Sequence, residues 1–245
     1  MKPRFRGFFF RKQYPMKTKN ILLLLASMFS SLIGLGQNHA ESLNFAVATH
    51  PIVVKAIHRY ADSLVMELSI ENQSPTGYFC INKNVFMQDL KRGKDIPIIR
   101  SEGIPVCPDN YHFRWVGEKL NFKLVFPETD TSIHFVNLIE ACNNHCFSIY
   151  GLILNRKMNE EINLGYDSFS HGNLNFALKS FENVIKENPA YPFGFLYAHI
   201  IKILLQQKKY EEAKTWYQKL QASDFLDKEA VLKQIAKDED AAKLE

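Results

Sequence analysis

Cys142, His145 and Cys146 stand within five residues of one another in the stretch Leu138 to Leu154, LIEACNNHCFSIYGLIL. Thiolate and imidazole are the usual ligands of structural zinc, and two close thiols are also the parts of a disulfide. A structural zinc site is closed by four ligands, commonly as two short-spaced pairs. Here the other two cysteines, Cys80 and Cys107, stand singly and far off. A redox pair of the thioredoxin type sits at a helix N-terminus, which lowers the thiol pKa, whereas this stretch lies between apolar, strand-like runs. The simpler reading is a β-hairpin with Asn143 and Asn144 in its turn, because Asn tolerates the left-handed backbone of tight turns. Cysteines on either side of such a turn can be bridged when their Cα atoms are within about 7 Å. Cys142–Cys146 is therefore one candidate disulfide, with Cys80–Cys107 as the second pair. Free thiols, other pairings and a metal site remain as alternatives at this level.

No other stretch offers comparable chemistry. The eight histidines are scattered, and the sequence contains no HExxH, GxSxG, Walker loop or GxGxxG pattern. Glu140, at the end of an apolar run, reads as a carboxylate paired with a neighbouring loop. Glu160, Glu161, Glu211 and Glu212 read as solvated helix faces. The expectation is a protein without catalysis, cofactor or metal.

The N-terminus bears on the compartment. Residues 1–20 carry seven Lys or Arg and no acid, followed by the 16-residue apolar run ILLLLASMFSSLIGLG and the polar QNHAES. This order describes a secretory signal peptide over residues 1–36, with Gly34 and Gly36 before the cleavage point and Met16 as an alternative start. The run is short of the ~20 residues that span a bilayer. The formal net charge is +4, and losing the seven cations of the leader leaves −3, so the basic balance is no signal for nucleic acid. An exported chain ending in the periplasm or at the cell surface meets oxidising conditions, where four cysteines can form two disulfides.

Two periodicities divide the remainder. Residues 43–155 alternate with period two: Leu64, Met66, Leu68 and Ile70 share one face, and about eight short strands, GYFCI, DIPIIR and YHFRW among them, are separated by turn residues such as Gln73-Ser74-Pro75-Thr76-Gly77. Asp62-Ser63 is the expected turn between the first two long strands. This pattern predicts an antiparallel, immunoglobulin-like β-sandwich. Residues 158–245 switch to helical spacing, with breaks at Gly172-Asn173, Asn188-Pro189 and Lys208-Lys209 and after Gln221. The fold class expected is α+β in two domains.

The helical half repeats. NLNFALKSFENVI and KKYEEAKTWYQKL align without a gap, so that Ala177 matches Ala213 and Phe181 matches Tyr217, 36 residues on. With Leu164-Gly165, the turn Gly172, the Ala177/Phe181 pair and the closing Pro189, the first unit resembles the tetratricopeptide repeat, a helix-turn-helix unit of about 34 residues. The second unit departs from it, with Ile201 at a small-residue position and no closing proline. Two units are fewer than the ~3 that usually stand alone, so their ends need covering, one by a last helix over DKEAVLKQIAK and the other by the strands or a partner. The sheet half resembles a β-sandwich domain of exported bacterial proteins of unknown role. That likeness rests on NFKLVFP, the acidic-polar turn after it, the Ile-Glu strand end and FSIYGLIL.

The repeat resemblance implies a non-enzymatic scaffold that binds a protein or peptide partner. By register with the family, its inner-face positions include Ile162, Tyr166 and Phe169 in the first unit and His199, Lys202 and Gln206 in the second. The alternative is a carbohydrate- or ligand-binding accessory subunit of an envelope enzyme, acting through sheet aromatics such as Tyr78, Phe79, Tyr111 or Trp115. Neither reading calls for nucleic acid or for a membrane span after leader removal.

Overall fold

A computed structural model describes residues 43–143 and 146–244. The leader expected over residues 1–36, together with Asn144 and His145, lies outside the described residues. Eleven strands come first: β1 (Val47–Ala48), β2 (Ile52–Arg59), β3 (Ser63–Glu71), β4 (Tyr78–Phe79), β5 (Val85–Asp89), β6 (Asp95–Pro97), β7 (Arg100–Glu102), β8 (Tyr111–His112), β9 (Lys119–Pro127), β10 (Phe135–Glu140) and β11 (Ser148–Ile153). Five α-helices follow: α1 (Arg156–Ser170), α2 (Leu174–Glu187), α3 (Phe195–Gln206), α4 (Tyr210–Gln221) and α5 (Lys228–Ile235), then a short 3-10 helix, Ala241–Leu244. The chain is mixed α and β, with its strands in the first part and its helices in the second.

The strands form a five-stranded sheet in the order β1-β11-β10-β5-β6, a four-stranded sheet in the order β2-β3-β9-β7, and the small ribbon β4-β8. Within the sheets every strand pair is antiparallel. Alternation explains the core. Leu64, Met66, Leu68 and Ile70 on β3 are buried, as are Phe122, Leu124 and Phe126 on β9. They share one apolar cluster with Val85 and Met87 of β5, Val136 and Leu138 of β10, and Ile149 of β11, so both larger sheets feed the same interior.

Two details differ from the sequence reading. DIPIIR, expected as one strand, is divided between the sheets: the Ile98 N–H donates to Val85 and the Ile99 N–H to Val125, so the chain crosses from one sheet to the other at this step. A strand that changes sheets keeps its apolar pattern and so reads as continuous. The first hairpin turns at Ala61-Asp62 rather than Asp62-Ser63, since the Tyr60 N–H donates to the Ser63 carbonyl. β1 has two residues and was too short for alternation to reveal, whereas β4 and β8, also of two residues, fall within the expected strands GYFCI and YHFRW.

Local capping sets the helix limits. The side-chain oxygen of Asn155 accepts from the Met158 N–H at the start of α1, and that of Asn173 accepts from Phe176 at the start of α2. The α1–α2 hairpin is tight because Gly165 faces Phe181; a Cβ added at Gly165 would lie 2.5 Å from its ring. The 36-residue register holds in three dimensions. α2 and α4 begin 36 residues apart, and Ala177 and Ala213 are both fully buried. The turns correspond bond for bond: Gly172 N–H to Phe169 and Asn173 N–H to Ser168 in the first unit, Lys208 N–H to Leu205 and Lys209 N–H to Leu204 in the second. Gly172 has φ 77° and Lys208 has φ 59°, the one positive φ of a non-glycine among the described residues.

The helices do not close their core alone. Val47 and Ile153 from the strands, and Ala46 just before β1, are buried in the helical cluster, with Phe135 and Tyr150 packed against it. Phe193 lies against Gly151, where φ is 68° and an added Cβ would meet the ring at 2.4 Å. Asn44 is clamped to α1, its N–H donating to Asn159 Oδ1 at 2.7 Å. At the far end α5 packs on α3 and α4.

Candidate functional site

The stretch with the best initial claim to chemistry is a structural hairpin. Cys142 and Cys146 are joined, with Cα atoms 5.6 Å apart, and Cys80 and Cys107 are joined with Cα atoms 5.3 Å apart. Among the described residues no cysteine is free and no group of three side chains has metal-binding geometry. Glu140 is buried beside the bridge. Its two oxygens accept from the Asn82 N–H at 2.6 Å and the Phe147 N–H at 2.9 Å, which ties the hairpin to the segment after Cys80. Burial pushes its pKa up and these two N–H donors pull it down. Two disulfides fit an oxidising extracellular compartment.

The six helical positions named from the repeat divide into interior and surface. Ile162 is fully buried and His199 is 3% exposed, so neither offers its side chain to a partner. In both cases the cause is the packing of helix on helix. Tyr166 and Phe169 on α1 and Lys202 on α3 are half-buried, and Gln206 on α3 is exposed. The surface candidates are therefore Tyr166, Phe169, Lys202 and Gln206.

His199 joins these residues from behind. Its ring centroid lies 4.8 Å from that of Tyr166, 6.2 Å from Phe169 and 5.3 Å from Phe181, so one imidazole touches α1 and α2 from α3. Nδ1 is 2.7 Å from the Phe195 carbonyl. Burial, with Lys202 nearby, lowers its pKa to about 4, against the bond to Phe195. Burial also lowers the Lys202 pKa, and Asp238 raises it.

One functional support was missed by the sequence reading. α3 begins at Gly194, which has no capping side chain. The carboxylate of buried Asp227 supplies the cap from 33 residues away, accepting from the Gly194 N–H at 2.6 Å and the Phe195 N–H at 3.0 Å. A carboxylate at the positive end of the helix is favourable, and burial pushes its pKa up against those bonds. The only signal was negative: a helix start without Ser, Thr, Asp or Asn needs a cap from elsewhere.

On the strands, Tyr78 is 60% and Trp115 54% exposed, whereas Phe79 is buried against the core and Tyr111 is held by Glu118 at 2.8 Å. A hollow of about 380 Å³ lies over β2, β3 and β9. Its charged groups are engaged, Lys123 with Glu67 at 2.8 Å, Lys55 with the side-chain amide of Asn121 at 2.7 Å and Glu102 with Arg100 at 2.8 Å. Among the described residues no helix is long and apolar enough to cross a membrane. No family model, curated protein or solved structure matches the chain.

Proposed function

We propose that this is an exported, non-enzymatic binding protein, in which an immunoglobulin-like antiparallel sandwich at residues 43–155 carries a tetratricopeptide-like module at residues 158–245. The proposed activity is capture of a protein or peptide by the helices. The observation that carries it is the bond-for-bond recurrence of the helix turn at Gly172 and Lys208, with buried Ala177 and Ala213 in register. Repeating hairpins of this kind stack with the first helix of each unit, here α1 and α3, on one side, and that shared face is a common docking surface for extended ligands. By register that face includes Tyr166 and Phe169 of α1, half-buried rings, and Lys202 and Gln206 of α3, one cation and one amide. Such a mixture suits the centre of a protein interface, where aromatic residues are enriched.

Affinity capture from native envelope extract, followed by mass spectrometry, tests the reading. Replacing Lys202 and Gln206 together by Ala is expected to weaken capture about tenfold while leaving the melting temperature within about 2 °C, since neither side chain is in the core. Capture that is unchanged in the double variant would remove the helical face from the function. Recovery of a glycan in place of a protein would move the function to the strand region, where the exposure of Tyr78 and Trp115 favours that second reading.

A further inference from the structure

We propose that the outward face of the β4–β8 ribbon is a carbohydrate site, a rigid aromatic platform that takes two or three rings of a neutral oligosaccharide. The site is separate from the helical face and does not depend on protein capture there. It gives the glycan reading a place and a chemistry.

The pleat sorts the residues. β4 and β8 pair Tyr78 with His112 and Phe79 with Tyr111. Alternation turns Phe79 and Phe113 inward, where both are buried, and leaves Tyr78, His112 and Arg114 exposed. The rings of Tyr78 and His112 lie 6.2 Å apart between centroids. One step further on, the Arg114 guanidinium lies 4.8 Å from the ring centroid of Trp115, which stays more than half exposed.

The frame beneath these rings is fixed. Buried Glu118 accepts from the Tyr111 hydroxyl at 2.8 Å and from the backbone N–H, Nε and Nη2 of Arg114. Asn72 donates through Nδ2 to the Trp115 carbonyl at 2.7 Å, and its own carbonyl accepts from the Gly117 N–H at 2.8 Å. Gly77 leaves room for this amide, since a Cβ there would collide with Asn72 Oδ1. The Cys80–Cys107 disulfide ties the residue after β4 to the segment before β8.

Three arguments select the ligand. Exposed rings on a fixed frame lose little freedom on binding, and a ligand held by weak contacts needs that low ordering cost. The platform presents four side chains, against about 20–30 residues a side in a stable protein interface, so its ligand is small. Aromatic faces are electronegative and suit the weakly positive C–H face of a pyranose, while the Tyr78 hydroxyl, the His112 ring and Arg114 are partners for sugar hydroxyls. The Arg114 charge is already matched by Glu118 at 3.1 Å, so the platform calls for a neutral sugar rather than an acidic one.

Two-dimensional NMR of the intact, isotope-labelled protein tests this. Trp115 and Trp216 are the chain's two tryptophans, so their indole N–H signals are assigned with the single variant Trp115→Phe. The probes are cellotetraose, chitotetraose and maltotetraose, with trigalacturonate as the acidic comparison. At least one neutral probe is expected to shift the Trp115 signal saturably, with a Kd of about 1 mM, and to leave Trp216 in place. Trp115→Ala is expected to weaken that binding at least about tenfold and Tyr78→Ala about fivefold. Both variants are expected to melt within about 2 °C of the wild type, because neither ring is in the core. If Trp115→Ala does not fold, the wild-type titration and Tyr78→Ala decide. No shift of Trp115 with any neutral probe at about 20 mM, or unchanged affinity in both variants, would overturn the proposal. A response to trigalacturonate alone, or to a captured protein in place of the sugars, would do the same. Loss of capture on replacing Lys202 and Gln206 tests the helical face alone and leaves this result untouched.

Discussion

The sheets and the helices cover their apolar surface by different means, and the difference sets which part depends on the other. The two larger sheets face a common interior that they fill themselves, from Leu64 on β3 to Ile149 on β11. Both disulfides lie in this region, one joining Cys80 to Cys107 and the other closing the hairpin at Cys142 and Cys146. The helices have no covalent tie among them, and their cluster takes in Val47 and Ile153 from the strands and Ala46 just before β1. Two hairpins leave an apolar face at each end; α5 covers one and the strands cover the other. Dependence therefore runs from helices to sheet more than the reverse.

The sharpest way to break this comparison is to separate the parts. Residues 157–245 expressed alone are expected to show no cooperative thermal transition, because the rings and aliphatic groups that pack on Phe135, Tyr150 and Ile153 would face water. A single sharp calorimetric peak from that fragment would show the helices to be self-sufficient.

The next effect separates the two disulfides. Loop-closure entropy grows with the length of chain enclosed. Replacing Cys80 and Cys107 by Ser, 27 residues apart, is expected to cost about 3.5 kcal/mol in urea unfolding, against about 2 kcal/mol for Cys142 and Cys146, only 4 apart. Equal losses would mean that the folded state, rather than the unfolded chain, sets the contribution of each bridge.

The smallest effect compares the two repeats. Gly172 adopts its left-handed turn without a Cβ, while Lys208 adopts the matching conformation with one. Lys208→Gly is expected to raise stability by about 0.5–1 kcal/mol, with the gain in the helices. A loss in stability would show that the Lys208 side chain contributes more than the backbone strain it carries.

Much of the architecture was legible in local signals. Asn173 caps α2 and Gly172 precedes it because both act on backbone groups within a few residues. Alternation on β3 placed Leu64, Met66, Leu68 and Ile70 inside because the pleat sends alternate side chains to one face. The positive φ at Lys208 was within reach of the repeat alignment, which sets it opposite Gly172, although residue type argued against it. The division of DIPIIR between two sheets was not legible, since no residue in it marks the crossing.

The candidate site was legible only in outline. By itself the sequence determined the period of the repeat, the helix and main strand positions, and which cysteines were free to pair at each turn, all of which depend on residues near in the chain. Tertiary structure alone decided that Ile162 and His199 are interior while Gln206 is exposed, that Asp227 caps α3, and that the strands cover the open end of the first hairpin. Each of these is set by a partner tens of residues away, and burial depends on what packs against a face rather than on the composition of the face itself.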